Sequence, residues 1–350
     1  MRRNLTLLLL AALLSLQGCA VHQWPEQKEP LPESPGQVTL RLRYATDFWV
    51  WKHWYDPKLS DYPVEMHPDS EFDPGHPGTT AVYDNTLPSG FLEVNVKIYA
   101  SENLSVSVAE RSFRYDVSDG YDCALEMELP KGSYEVVAWA HLLETEDGTP
   151  FYDAADIRAV RIIDENYRGG TDYRDAFRGR AAFDLAGTDG LCVVEMHRPK
   201  GKLEFETVDL SEFLDRETER RQLSTRAKAE DYEVVISYPY YYPNGYNAVA
   251  DDIASGSGYR FASRMTLTGD STASMGFDYI FINDIDNGRV QAQVTVFDHA
   301  GVQVAGSQTI SVPIRRDSHT LLRGAFLSLN ASGGVGVDPD YDGDHNITVP

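Results

Sequence analysis

The chain has little positive charge for its length. Its 350 residues include 31 Lys and Arg against 54 Asp and Glu, which gives a formal net charge of −23 and a pI of about 4.7. Binding to nucleic acid depends on cationic side chains that neutralise phosphates, so a nucleic-acid partner is excluded as a working hypothesis. The apolar fraction of 42% is nevertheless ample for packed cores, and wholesale disorder is excluded as well.

The sequence also lacks every catalytic signature that spacing alone can reveal. It contains no H-E-x-x-H pair, no C-x-x-C, no G-x-S-x-G, no Walker-type loop, and no G-x-G-x-x-G after a strand. Carboxylates are plentiful, but none has the spacing of a catalytic pair. We therefore predict a non-enzymatic protein without a cofactor; a hydrolase with an unfamiliar site is the weaker alternative.

The sequence also lacks a long apolar run. The short apolar run near residue 1 has the length typical of a signal peptide for export. Arg2 and Arg3 precede about ten mostly apolar residues, too few to span a bilayer as a helix. The run ends in LQGC at residues 16–19, which resembles a bacterial lipobox. We predict a signal peptide at residues 1–18 and lipidation of Cys19; an ordinary signal peptide with a coincidental cysteine is the alternative.

The next segment predicts a tether. Residues 19–37 carry four prolines among polar groups, a composition typical of a stiff, extended linker. Acyl chains on Cys19 would supply membrane attachment, because an acidic protein is not attracted to an anionic surface.

From residue 38 onward, apolar and polar residues alternate with period two, as in half-buried strands. The predicted strands are residues 38–44, 92–98, 104–108, 124–129, 134–141, 160–163, 181–185, 193–196, 202–207, 232–237, 264–268, 278–282, 290–297, 308–314 and 321–327. Short strands at this spacing, without alternating helices, favour antiparallel sandwiches over a parallel sheet.

One helix and one boundary interrupt the strands. Asp209 and Glu212 have the spacing of a capping box ahead of a helix over residues 209–222. Leu210, Phe213 and Leu214 form the apolar side of this predicted helix. The Pro/Gly break at residues 198–201 indicates a domain boundary. We predict an N-terminal β-sandwich domain over residues 38–197 and a C-terminal one over residues 198–350.

Two cysteines, Cys123 and Cys192, remain besides Cys19, both in or beside predicted strands. An exported compartment permits a disulfide between them. Their number says nothing about whether their Cα atoms lie within reach, so a bridge and two buried free thiols remain equal alternatives.

An acidic loop near the C-terminus is the sharpest candidate for an ion site. Asp338, Asp340, Asp342 and Asp344 reproduce the D-x-D-x-D-G opening of a calcium loop. The loop lacks the closing acid, because its twelfth position is Val349. An acidic hairpin with an Asp-Gly turn is therefore favoured over a calcium site.

Two aromatic clusters are candidates for ligand binding. They lie at residues 48–55 (FWVWKHWY) and 238–246 (YPYYYPNGY). Exposed rings could stack on sugars or contact another subunit. Covering a sheet or filling a core is the commoner role of such residues, and we favour it for both clusters.

Several separated stretches occur in a recognisable order. They are GSYEVVAWA at residues 132–140, DIR at 156–158 with YRGGTDYRDAF at 167–177, RPKGKL at 198–203, PIRRDSHT at 313–320 with GAFL at 324–327, and GGVGV at 333–337 before the acidic loop. Together they resemble the FimB/Mfa-type family of Bacteroidetes fimbrial anchor lipoproteins.

The resemblance implies a fold and a role. It implies two tandem transthyretin-like β-sandwiches on an outer-membrane lipid anchor at the cell surface, with fimbrial shaft or accessory pilin subunits as partners. It also implies that the protein holds a fimbrial shaft and limits its length, and it brings no catalytic residues. Strand addition along a sheet edge would join such subunits. A surface glycan-binding lipoprotein that uses the aromatic clusters is the alternative.

Overall fold

The structure is a computed structural model that describes residues 35–55, 67–68, 79–83, 87–163, 168–283 and 288–328. The predicted signal peptide, Cys19, most of the tether and the acidic loop lie outside these residues. In the described part, no helix has the length and apolar character needed to cross a membrane.

The protein is built almost wholly of strands. In chain order they are β1 (Gly36–Tyr44), β2 (Phe48–Tyr55), β3 (His67–Pro68), β4 (Thr79–Tyr83), β5 (Phe91–Ala100), β6 (Asn103–Asp116), β7 (Asp122–Leu129), β8 (Gly132–Leu143), β9 (Tyr152–Asp153), β10 (Val160–Ile162), β11 (Ala176–Leu185), β12 (Asp189–His197), β13 (Lys200–Thr207), β14 (Tyr232–Asn247), β15 (Asp252–Arg264), β16 (Thr266–Leu267), β17 (Ala273–Phe281), β18 (Arg289–Asp298), β19 (Gln303–Gly306), β20 (Ile310–Pro313) and β21 (Ser318–Gly324). The described residues contain one α-helix, α1 (Leu210–Arg220), between β13 and β14. The predicted all-β class is confirmed.

The first sheet has the order β6-β5-β8-β11-β12-β1-β7. β11 and β12 share only two residue pairs, so the sheet turns sharply there. The rings of Tyr44 in β1 and Tyr115 in β6 consequently lie 6.4 Å apart, although five strand positions separate them in the sheet order. The sheet therefore folds over one core as a sandwich.

The alternating pattern sets which side chains fill that core. Val38, Leu40 and Leu42 in β1 are buried, whereas Gln37 before them and Arg41 between Leu40 and Leu42 are exposed. Period-two alternation places successive side chains on opposite faces of a strand. The predicted alternation is thus confirmed in β1.

Two further sheets surround a second core, and strands from early in the chain join both. One sheet has the order β19-β18-β14-β10-β9, with β15 on β14 and β20 on β18; the other has the order β16-β17-β13-β21-β2-β3, with β4 on β2. β2 and β10 thus pair with strands from after residue 198. The division of the chain near residue 198 stays a prediction.

Three strand pairs are parallel, although the sequence predicted antiparallel sandwiches. β1 pairs with β12, and β21 pairs with both β13 and β2. A parallel pair needs a long connection between its strands, and the chain between each of these partners is long enough to contain several other strands. The other pairings are antiparallel.

Helix α1 confirms one part of its prediction and corrects another. Leu210, Phe213 and Leu214 are buried, as its apolar face predicted. The capping box is wrong, because the Asp209 side chain makes no capping hydrogen bond to the helix. Its buried carboxylate instead accepts hydrogen bonds from Thr207 Oγ1 at 2.5 Å and from the Leu327 backbone N–H at 3.2 Å. A buried backbone N–H needs an acceptor, and Asp209 supplies it.

The hairpin of β14 and β15 is longer than predicted. The sequence predicted strands at residues 232–237 and 264–268, whereas β14 continues through Pro239 and Pro243. Register shifts follow Tyr238 and Pro243, and such irregularities accommodate residues without an N–H. Prolines and glycines lower the strand propensity of residues 239–258, so the second half of β14 and most of β15 were not predicted.

Candidate functional site

Strand β6 forms an open edge of the first sandwich. Among the described strands it pairs with β5 alone, and its 14 residues make it the longest strand of that sheet. The opposite edge, β7, has eight residues. An edge strand presents backbone N–H and C=O groups that another strand can pair with. β6 is therefore the longest surface for strand pairing in this sandwich.

Side chains on both faces of β6 make contacts that hold the strand in place. Phe113 and Tyr115 pack against the core. On the other face, Arg114 Nη2 lies 2.5 Å from Glu93 Oε2, and Ser112 Oγ donates to Asn95 Oδ1 at 2.5 Å. Cross-strand pairs of this kind set the register of a sheet. β6 is thus an ordered edge strand. At its start the Leu104 carbonyl accepts a hydrogen bond from Arg158, and the Ser105 N–H donates to Asn103 Oδ1.

The first part of β6 carries exposed apolar side chains. Val106 is 68% exposed and Val108 is 52% exposed. They lie where the pairing shifts register after Ile98 of β5. An arriving strand could cover both valines while its backbone pairs with β6.

Cys123 and Cys192 are free thiols on strands that flank β1 on opposite sides. Cys123 pairs with Leu42 and Cys192 pairs with Leu40. Two strand spacings of about 4.8 Å put their Cα atoms roughly 10 Å apart, beyond the 7 Å limit for a disulfide. The bridge that the sequence left open is absent from this structure. Burial raises the pKa of the Cys123 thiol to about 11, so this thiol is uncharged at neutral pH.

Buried ion pairs join the two sandwiches. Arg174 pairs with Asp278, and Arg198 Nε donates to Asp175 Oδ2 at 2.7 Å. All four side chains are buried. Arg198 also donates to the backbone carbonyl of Ala45 at 2.9 Å. A buried pair of this kind is costly to break, because either partner alone would be an uncompensated charge.

Lys200 lies beside these pairs. Its Nζ is 4.3 Å from the ring centre of Tyr152 and 4.2 Å from that of Phe281. Burial holds the pKa of Lys200 well below its usual range, and the neighbouring Arg174 lowers it further. Arg174 and Asp175 lie on the YRGGTDYRDAF stretch, and Arg198 and Lys200 lie on the RPKGKL stretch. Their partners Asp278 and Phe281 belong to β17.

The described side chains of the two aromatic clusters mainly cover or fill the sheets. Tyr238, Tyr242 and Tyr246 are fully buried, whereas Tyr240 is 71% and Tyr241 is 50% exposed. In the other cluster Tyr55 is buried, and the side chain of Trp51 stacks under Arg315, whose guanidinium carbon is 4.1 Å from its ring centre. The exposed rings among these described side chains are those of Tyr240 and Tyr241.

The profile of DUF6562, a family of unknown function, matches residues 85–350. This match covers well over half of the chain. The protein belongs to the DUF6562 family. Among curated proteins, none matches its sequence.

Solved structures from Bacteroidetes are distantly similar to this DUF6562 protein. A candidate adhesin from Bacteroides thetaiotaomicron is 13% identical with a TM-score of 0.44, and the match covers 81% of this chain and 82% of that one. The fimbrial anchor protein Mfa2 from Porphyromonas gingivalis is 11% identical with a TM-score of 0.35, over 77% and 82% of the chains. A fimbrial assembly protein from Parabacteroides distasonis is 10% identical with a TM-score of 0.37, over 86% and 93%. At these identities none of the three assigns a role to this chain.

Two predicted sites of the DUF6562 protein lie outside the described residues. They are the lipidation site at Cys19 and the calcium candidates Asp338, Asp340, Asp342 and Asp344, and both stay predictions. Within the described ranges, no group of three or more His, Cys, Asp or Glu side chains is arranged to hold a metal ion.

The open edge of β6 was only partly visible in the sequence. A strand was predicted at residues 104–108, but the alternation continues through Ala109, Phe113 and Tyr115 to Asp116. This continued alternation could have extended the predicted strand beyond residue 108. Its position at the edge of the sheet could not be read, because pairing order depends on residues far away in the chain.

Proposed function

We propose that this DUF6562 protein is a fimbrial anchor subunit at the outer membrane. Lipid on Cys19 would attach it to the cell surface, and the open edge of β6 would accept a strand of a pilin. The protein would thereby hold the shaft and limit its length, without catalysis. The observation that carries the proposal is the 14-residue edge strand with Val106 and Val108 exposed.

Other features support the same role. The motif resemblance to the FimB/Mfa-type family covers most of the folded chain. A lipobox with a Pro-rich tether suits a subunit held off the membrane. The buried ion pairs between the cores suit a protein that transmits force, because they resist separation of its parts.

Deleting the whole chain tests this proposal in cells. We expect fimbriae to be shed into the medium or to change in length, because the shaft would lose its attachment. Electron microscopy and immunoblots of medium and cell fractions measure both effects. Fimbriae of normal length that stay attached would refute the anchor role.

The lipid anchor has its own prediction. Cys19→Ser should move the protein from the membrane fraction to a soluble or unprocessed form, because acyl chains supply the attachment. Immunoblots after a carbonate wash measure the distribution, and Cys123→Ser is the matched control with a thiol inside the fold. Equal membrane recovery of Cys19→Ser and the parent would contradict lipidation.

A second candidate function is glycan binding through Tyr240 and Tyr241, favoured by the exposure of their rings. It predicts saturable binding of a polysaccharide that is lost in the double variant Tyr240→Ala/Tyr241→Ala. The anchor role predicts instead that this variant keeps its pilin partner.

A further inference from the structure

A bulge in β14 turns two aromatic rings away from the sheet. The pairing with β15 shifts register after Tyr238, so residues 239–241 lie opposite one residue, Gly258. A bulge of this kind re-aims side chains that regular pairing would hold on a sheet face. Tyr240 is consequently 71% exposed and Tyr241 is 50% exposed.

A glycine in β15 makes room for one of these rings. A Cβ at Gly256 would lie 2.1 Å from Cε2 of Tyr241, a distance at which the two atoms would clash. The ring therefore packs against bare backbone on one side, while half of its surface stays open to solvent. An aromatic ring that is supported in this way loses little freedom when a ligand stacks on it.

The charge close to this ring is negative. Partial burial raises the pKa of Tyr241, and the Asp252 carboxylate raises it further, so that carboxylate lies close enough to act on the ring's hydroxyl group. Arg260, the nearest basic residue along β15, does not lower the pKa of Tyr241. The field at the exposed ring is therefore set by a carboxylate.

Asp252 is available to a partner. It is exposed, and its side chain forms no ion pair or hydrogen bond with a described residue. Arg178 and Arg316, which reach the adjoining turn, pair with Asp251 instead, at 3.4 and 2.7 Å. An exposed carboxylate without a counter-ion attracts a cation and repels an anion.

Among cations, a guanidinium group fits this combination best. A tyrosine ring attracts a cation to its face, and a planar guanidinium that stacks there still presents its N–H donors to a carboxylate. The protein contains the same arrangement in its interior. The guanidinium carbon of Arg198 is 4.8 Å from the ring centre of Phe177, and Arg198 Nε donates to Asp175 Oδ2 at 2.7 Å. A sugar would stack on Tyr241 but would leave the charge of Asp252 unbalanced.

We propose that Tyr240, Tyr241 and Asp252 form a docking site for an arginine side chain on the surface of a partner protein. The net charge of −23 favours the approach of a partner with a basic surface. The site lies on β14 and β15 and does not involve β6, so it is tested independently of the anchor role. It also gives the two exposed tyrosines a ligand class that differs from a glycan.

Titration of the purified protein with a capped glycine-arginine-glycine tripeptide tests the proposal. The ring signals of isotope-labelled tyrosine, followed by NMR, give the dissociation constant, and Tyr241→Phe identifies the signal of Tyr241. We expect saturable shifts of that signal. The matched peptide with citrulline has the same shape without the charge. It should bind at least about fivefold more weakly, because an exposed cation–π contact contributes about 1 kcal/mol.

Two pairs of variants locate the contact. Asp252→Asn should weaken binding of the arginine peptide about fivefold, as the loss of an exposed ion pair of about 1 kcal/mol predicts. Asp270→Asn removes an exposed charge between β16 and β17 and should not weaken it. Gly256→Ala should weaken binding to a similar degree as Asp252→Asn, because its methyl group displaces the Tyr241 ring. Gly258→Ala should not, because a Cβ there would lie 3.6 Å from the nearest atoms of β14.

Thermal unfolding verifies that each variant is folded. The proposal is wrong if the arginine peptide gives no saturable shift, or if the citrulline peptide binds equally well. Equal weakening by Asp252→Asn and Asp270→Asn would also overturn it, because it would indicate general attraction to an acidic protein. Equal effects of Gly256→Ala and Gly258→Ala would exclude the Tyr241 ring from the contact. Shifts of the Tyr241 signal by maltotriose, and not by the arginine peptide, would favour the glycan-binding alternative instead.

Discussion

The double variant Val106→Lys/Val108→Lys should lose the complex with its pilin partner and keep its fold. Both side chains are largely exposed, so their replacement should change the free energy of unfolding by only about 0.5 kcal/mol. An added strand on β6 would have to bury two ammonium groups in place of two apolar side chains. Losing about 1.5 kcal/mol of burial at each valine corresponds to roughly hundredfold weaker binding.

Co-purification of the pilin in detergent, with the dissociation constant measured on the purified pair, verifies this expectation. Val302→Lys is the matched control, because Val302 is 52% exposed like Val108 but lies between β18 and β19. If the double variant and Val302→Lys bind the pilin as tightly as the parent, another edge accepts the strand.

Asp278→Ala should be the most destabilising single change among the ion pairs described above. It removes the partner of Arg174, and both side chains are buried. An uncompensated buried charge costs about 3–5 kcal/mol of unfolding free energy. Asp278 Oδ1 also accepts the backbone N–H of Tyr279 at 2.8 Å, and that bond would be lost as well.

Urea denaturation of the purified protein measures the loss in unfolding free energy. Asp184→Ala in β11 is the control, because an exposed carboxylate should change the unfolding free energy by only about 0.5 kcal/mol. In the double variant Arg174→Met/Asp278→Leu both charges are gone, so it should recover part of the loss. A loss below about 1 kcal/mol for Asp278→Ala would show that the Arg174–Asp278 pair contributes little to the free energy of unfolding.

Much of the secondary structure was predictable because its signal is local. Val38, Leu40 and Leu42 alternate with polar residues, and this alternation depends only on the geometry of an extended chain. The buried side of α1 was readable in the same way from Leu210, Phe213 and Leu214. Asp209 misled because its carboxylate accepts hydrogen bonds from Thr207 Oγ1 and the Leu327 backbone N–H, and not from the first N–H groups of the helix.

The candidate site was less predictable. The exposure of Val106 and Val108 follows from β6 lying at an edge, and the sequence contains no mark of edges. Residues that look ordinary in the sequence become a site only when pairing assembles them.

The sequence alone determined that the chain is a β protein, where most of its strands lie and which side of β1 is buried. These properties follow from the period of two in the extended backbone, which acts over a few residues. Only the tertiary structure decided that β2 joins β21, that β6 has an open edge, and that Arg174 meets Asp278. Each of these depends on contacts between distant parts of the chain, where many alternative pairings satisfy the same local pattern and packing of the whole selects one.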